Sequence, residues 1–239
     1  MNNPTYIIGD IHGAFNRLMK KVTDLDLRDC TLICVGDLGI GFHYSSEGER
    51  TGCFLMNEFF EERNMIFMSI RGNHDDPLYF NGSGRIDLSH FKLLPDYHTE
   101  TINGEKFLFV GGAVSIDRAW RKEGLSYWSD EVFVLKPELV EKCDVLITHS
   151  TPSWIGPFDK EGLSSWCEKD PTLWDLCYKE RIEHDELIRL CRPSKAYHGH
   201  FHVSHWADFA ECYATILAIE EIKEHRPSIT SAEVDIAID

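Results

Sequence analysis

The sequence predicts an α/β fold built on mixed β-sheet, and three observations predict it. Short apolar runs recur at a length suited to strands buried on both faces, stretches with helical spacing separate the first of them, and one Asn-Gly pair marks a hairpin. The strand runs are Tyr6 to Ile8, Thr31 to Val35, Met65 to Ile70, Phe107 to Val110 and Val145 to Thr148. Between the first two, Phe15, Leu18, Met19, Val22 and Leu25 recur every three or four residues, which gives a helix that packs on the sheet. Between the next two, Phe54, Leu55 and Phe59 alternate with Glu58 and Glu62 in the same manner. The opening is therefore βαβαβ. Asn103-Gly104 fits a type I′ turn, which needs positive φ at both central positions, so an antiparallel pair joins the parallel strands. From Pro171 to Arg192 the pattern reads as one long helix, stopped by Pro193. A strand, a loop and further strand pairs follow it, and the tail from Glu220 carries no clear pattern. No repeat or linker divides the chain, so a single domain over residues 1–239 is expected.

The chain has 24 Lys plus Arg against 40 Asp plus Glu, a formal charge of −16. A field of that sign repels polyanions and argues against nucleic-acid binding through a basic face. Any phosphate-bearing ligand must then be held by a local positive source. No apolar run is long enough for a membrane span and the N-terminus lacks the pattern of a secretory signal, so a cytoplasmic protein is expected. Eight cysteines are scattered without a CxxC pair, which points to reduced core residues rather than a zinc knuckle or a disulfide framework.

The chemistry lies where the predicted strands end. The first runs into Asp10-Ile11-His12, the second into Gly36-Asp37, the third into Gly72-Asn73-His74-Asp75, a later one into His149, and the last into Gly199-His200-Phe201-His202. Ligands of open α/β sheets bind outside the carboxyl ends of the strands, so five separate segments converge on one crevice. Singly, each block has a structural reading: a helix cap for the first, a turn for the third, half-buried strand histidines for the last. Jointly, carboxylate, imidazole and amide oxygen suit two borderline divalent ions, with manganese first and iron, zinc, nickel or cobalt as alternatives. Two ions would supply the positive charge that the chain otherwise lacks.

These blocks, in this order, resemble the calcineurin-like metallophosphoesterases, whose pattern is DxH, GD, GNH with an acidic residue, a lone His, then GHxH. The resemblance spans residues 9 to 202. It implies a four-layer αββα sandwich with mixed sheets. It also implies that Asp10, His12, Asp37 and His202 hold one metal, and that Asp37, as a bridge, joins Asn73, His149 and His200 around the other. His74 corresponds to the family's non-ligand histidine, which contacts the substrate phosphate and assists the leaving group. The implied activity is metal-dependent hydrolysis of a small phosphate ester. A catalytically silent scaffold and a nuclease are the readings from other classes, disfavoured by the full ligand set and by the charge.

One departure bears on substrate. Phosphoprotein phosphatases and dinucleoside tetraphosphatases of this superfamily extend the second block to GDxxDRG, and this chain has Ile40 and Gly41 where the Asp and Arg would stand. The absent Arg favours a phosphodiester or nucleotide-like molecule over a phosphomonoester or phosphoprotein. Arg118 and Arg121, in the loop after the fourth strand run, are the candidate replacements, with an ion pair to Asp117 as the alternative reading. Trp120, Trp128 and Trp154 lie on loops beside the expected crevice, whereas Trp166, Trp174 and Trp206 are assigned to packing. The remaining histidines, His43, His90, His98, His184 and His225, are assigned to surface or packing roles, and His198 and His205 to support of the metal block.

Overall fold

The computed structural model describes residues 3–42, 46–82, 86 and 88–227, and of residues 46–50 the backbone alone. His43 and residues 228–239 lie outside the described residues. Among the described residues, eleven strands form two sheets. The first holds β1 (Thr5–Ile8), β2 (Thr31–Cys34), β3 (Ile66–Ser69), β4 (Phe91–Leu93) and β11 (Ile222–His225), in the order β11-β1-β2-β3-β4. Only β11 runs antiparallel to its neighbour. The second holds β5 (His98–Ile102), β6 (Glu105–Val110), β7 (Val145–Thr148), β8 (Lys195–His198), β9 (His205–Phe209) and β10 (Cys212–Ile216), in the order β5-β6-β7-β8-β10-β9. Its two edge strands, β5 and β9, are antiparallel and its centre is parallel.

Alternation along the strands explains the layering, because successive side chains leave opposite faces. Ile7, Ile33, Met68 and Ile70 of the first sheet meet Phe107, Phe109, Val145, Ile147 and Tyr197 of the second in a central core. Their neighbours Ile8, Leu32, Cys34 and Phe67 point the other way, against Leu18 and Val22 of α1 (Phe15–Asp24) and Met56 and Phe60 of α2 (Ser46–Glu61). Phe67 is stacked between Phe60 and Phe91, with ring centroids 5.0 and 5.1 Å apart. On the outer face of the second sheet, Leu108, Leu146, Ala196 and Ala214 meet Leu187, Ile188 and Cys191 of α4 (Leu173–Cys191). The result is helix, sheet, sheet, helix, as expected.

Four elements differ from the sequence reading. Strand β4 is three residues long and β11 comes from the tail, too short and too polar to announce themselves by periodicity. Strand β11 is fixed from outside: its backbone pairs with β1, and His225 Nε2 lies 2.8 Å from Glu105 Oε2 and its Nδ1 2.9 Å from Tyr197 Oη. Helix α2 starts at Ser46 instead of near Phe54, because Gly48, Thr51 and Gly52 dilute its apolar spacing. A separate short helix, α3 (Leu163–Cys167), precedes α4. The eight cysteines form no disulfide. Among the described residues, no helix is long and apolar enough to cross a membrane.

Candidate metal centre

The residues that close β1, β2 and β3 in one sheet and β7 and β8 in the other meet in a single crevice. Ligand atoms of Asp10, His12, Asp37 and His202 all lie within 4.8 Å of one another. His202 Nε2 is 3.2 Å from both Asp10 Oδ2 and His12 Nε2. On the other side of Asp37, Oδ1 is 3.1 Å from His149 Nε2, which is 3.2 Å from Asn73 Oδ1. The His200 ring stands edge-on to His149 with centroids 5.1 Å apart. All seven sequence-predicted ligand candidates are thus brought together, in two groups that share Asp37.

Backbone conformation explains why these loops can deliver side chains so closely. His12, Asp37, His200 and His202 have φ of 49°, 48°, 65° and 59°, the left-handed region that non-glycine residues enter at a cost. Two glycines admit the close approach: a Cβ on Gly72 would lie 2.0 Å from Asp37 Oδ1, and one on Gly199 would lie 2.2 Å from Asp10 Oδ1. Outer partners set the donor atoms. His149 Nδ1 lies 2.9 Å from the Val35 carbonyl, which takes its proton and leaves Nε2 facing Asp37 and Asn73. The Asn73 amide nitrogen donates to Ser115 Oγ at 3.0 Å, which turns Oδ1 inward. Asp75 accepts from the backbone N–H groups of Gly39, Ile40 and Gly72 at 2.7, 3.0 and 2.7 Å, and so ties the loop after β2 to the loop after β3.

The charge balance fits a cation. Burial raises the Asp37 carboxyl, but the charges of His149 and His74 outweigh it and hold the group well below the usual carboxylate range. Burial lowers His149, yet Asp37 outweighs that and the ring is pushed up to about 9. His12 is lowered by burial, only partly offset by Asp37. Two wholly buried carboxylates, Asp10 and Asp37, stand among imidazoles, with His202 Nε2 3.2 Å from the first and His149 Nε2 3.1 Å from the second. Carboxylate and imidazole donors so arranged, with one amide oxygen, are a donor set for a divalent ion.

His74 stands beside this cluster. Its Nδ1 is 2.8 Å from Asp37 Oδ2, and its Nε2 is 2.7 Å from Arg121 Nη2. Arg121 is nearly buried: it also donates to the Asn73 carbonyl and Ser115 Oγ at 2.9 Å each, and pairs with Asp117 at 2.7 Å. Both alternatives read for that loop, the crevice contact and the Asp117 ion pair, hold at once for Arg121. Arg118 is not brought to the crevice. Its guanidinium pairs with Asp170 at 2.6 Å and donates to Thr172 Oγ1 at 2.9 Å.

Sequence reasoning missed Lys160, whose Nζ lies 3.1 Å from His200 Nδ1. Its only sequence signal is a place in the segment that follows His149. Burial lowers its amine, against the opposing pull of Asp37 and Asp10. Glu131 was missed too: it accepts from Ser115 Oγ and from the Trp128 amide, behind Arg121. Of the tryptophans placed near the crevice, Trp128 is buried, Trp120 is exposed, and Trp154 stacks on Phe209 of β9. Trp174 and Trp206, assigned to packing, are 44% and 58% exposed. His198 is buried with Nδ1 2.7 Å from Thr148 Oγ1, His184 is buried against Phe133, and His205 is exposed on β9.

Comparison with known proteins assigns the lineage. The pattern of the calcineurin-like phosphoesterases matches residues 4–204, a span that contains every segment of the crevice, and the chain belongs to that family. No curated protein matches it. Among solved structures it is similar to TT1561 of Thermus thermophilus, with 14% identity over 90% of this chain and 89% of that one and a TM-score of 0.51, a likeness of fold. Phosphopantetheinyl hydrolase from Mycobacterium tuberculosis is also similar, with 12% identity over 95% of this chain and 97% of that one and a TM-score of 0.44.

Proposed function

We propose that the chain is a hydrolase that cleaves a small phosphate ester at two divalent ions, with Asp10, His12, Asp37 and His202 around one and Asp37, Asn73, His149 and His200 around the other. The observation that carries this reading is Asp37. Its Oδ2 faces His74 at 2.8 Å and His12 at 3.8 Å while its Oδ1 faces His149 at 3.1 Å, so both groups of donors meet on one carboxylate. When bound, such ions supply Lewis acidity and neutralise charge on the reacting phosphoryl group. Manganese is the first ion to test, and iron, zinc, nickel and cobalt are compatible with the same donors. His74 lies with Nδ1 2.8 Å from Asp37 Oδ2 and Nε2 2.7 Å from Arg121 Nη2, and in this reading it stands beside the phosphate and assists the departing oxygen. Arg121 fixes the plane of that ring and, through Ser115 and the Asn73 carbonyl, the direction of the Asn73 amide.

The substrate that fits best is a phosphodiester. A monoester dianion calls for a further fixed cation, and Arg121 is committed to protein acceptors and neutralised by Asp117. The test is to strip the protein with a chelator, reload it with manganese, and compare kcat/KM for bis(p-nitrophenyl) phosphate and p-nitrophenyl phosphate. Turnover is expected only in the loaded protein and in favour of the diester. Unchanged turnover after exhaustive demetallation overturns the metal reading, and a monoester preference overturns the choice of substrate.

A further inference from the structure

We propose that the cavity behind His200 is the subsite for a single planar ring carried by the phosphate ester, an assignment that rests on the phosphoesterase reading above and narrows its substrate class. The cavity has a volume of about 180 Å³, and His200 and Lys160 form the wall it shares with the metal centre. An apolar cavity of about 150 Å³ is enough to hold benzene, so this one takes one ring and not two. That size selects a monocyclic arm over the paired bases of a dinucleoside compound.

The lining is built for such a guest. Trp174, Cys177 and Tyr178 all line the cavity from one face of α4, as their spacing of three and four residues requires. Leu163 of α3 and Phe201 face them from buried positions, and Phe158 closes the rim. Single exposed apolar residues need no explanation, but Phe158, Trp174 and Tyr178 are 71%, 44% and 67% exposed around one opening. Aromatic walls converging beside a few polar groups are the usual form of a small-ligand site.

The rim is also preformed. Arg181, itself buried, donates to the carbonyls of Pro152, Pro157 and Phe158 at 2.9, 2.8 and 2.6 Å, and to that of Ile155. The segment that carries Phe158 and leads into Lys160 is thereby anchored to α4 before any ligand arrives. A ring seated between Trp174 and Phe158 would place its phosphate at the Lys160 and His200 wall, on the side of the metal ligands.

The experiment measures binding of phenylphosphonate and methylphosphonate to the manganese-loaded protein by calorimetry, in the unaltered chain and in Cys177→Trp and Trp174→Ala. Burial of a ring predicts that phenylphosphonate binds at least about tenfold tighter than methylphosphonate. The ratio of the two Kd values is expected to fall toward one in Cys177→Trp, which fills the cavity, and to drop severalfold in Trp174→Ala, which removes a half-exposed wall. A ratio near one in the unaltered chain, or a ratio that survives both substitutions, overturns the subsite. Hydrolysis of phenyl p-nitrophenyl phosphate, run in parallel, separates the two claims. A preserved binding ratio without turnover keeps the subsite and sinks the phosphoesterase reading, while turnover without a ratio does the reverse.

Discussion

Replacing Arg121 is expected to damage catalysis, and replacing Arg118 three positions away is not. The Arg121 guanidinium is 2.7 Å from His74 Nε2 and 2.9 Å from both the Asn73 carbonyl and Ser115 Oγ, with only 6% of its side chain exposed. Arg121→Ala removes the contact that orients His74 together with the two that hold the Asn73 segment. One hydrogen bond to a charged group contributes about 1.5 to 3 kcal/mol, which corresponds to about 10- to 150-fold in rate if the orientation of His74 is lost in the transition state. Arg118→Ala breaks a partly exposed pair with Asp170 and an exposed bond to Thr172, both away from the crevice, and such pairs contribute about 0 to 1 kcal/mol, so kcat/KM should change by less than about fivefold. Arg121→Lys keeps the charge but loses the fork that reaches His74 and Ser115 together, and should recover only part of the loss. The assay is kcat/KM for an activated aryl diester at saturating manganese, with thermal unfolding to confirm that each variant is folded. A folded Arg121→Ala protein with unchanged turnover, or an Arg118→Ala effect as large, would refute the assignment.

Asp37→Asn should lower metal content at both positions, and Asp10→Asn at one, as read by metal analysis after equilibrium dialysis; equal losses in the two variants would show that Asp37 is not shared. His74→Asn should retain its metal and lose about 10² to 10⁴ in turnover, the usual scale of general acid help. If metal is lost instead, His74 belongs among the ligands. Acid should destabilise the fold through His184, which is buried and neutral, with its ring lowered to about 4 by desolvation. The unfolded chain takes up this proton below 6.5 and the folded chain does not until about 4. Stability is therefore lost as pH falls through that window, by up to about 3 kcal/mol. His184→Phe, which keeps the packing on Phe133, should flatten the fall in urea midpoint between about pH 7 and about pH 4.5, and a variant as acid-sensitive as the unaltered chain would contradict the assignment.

The sequence alone determined the parts of this protein that are set locally. Strands β1, β2, β3, β6 and β7 and helix α1 carry their periodicity within a few residues, and Asn103-Gly104 carries its turn. The seven metal-ligand candidates were legible for the same reason: each sits in the first residues after a strand, where the chain direction is already decided. Tertiary structure decided what depends on distant partners. Strand β11 exists because β1 offers an unpaired edge, and the tail that supplies it has no pattern of its own. Arg121 reaches His74 while Arg118 does not, because Asp170 and Thr172, more than fifty residues later, hold Arg118 away. Lys160 meets His200 only because Arg181 of α4 pins the segment before it. A ligand on a strand end is fixed by the strand, but a cation on a loop is fixed by whichever acceptors the fold brings to it, and no run of neighbouring residues records them.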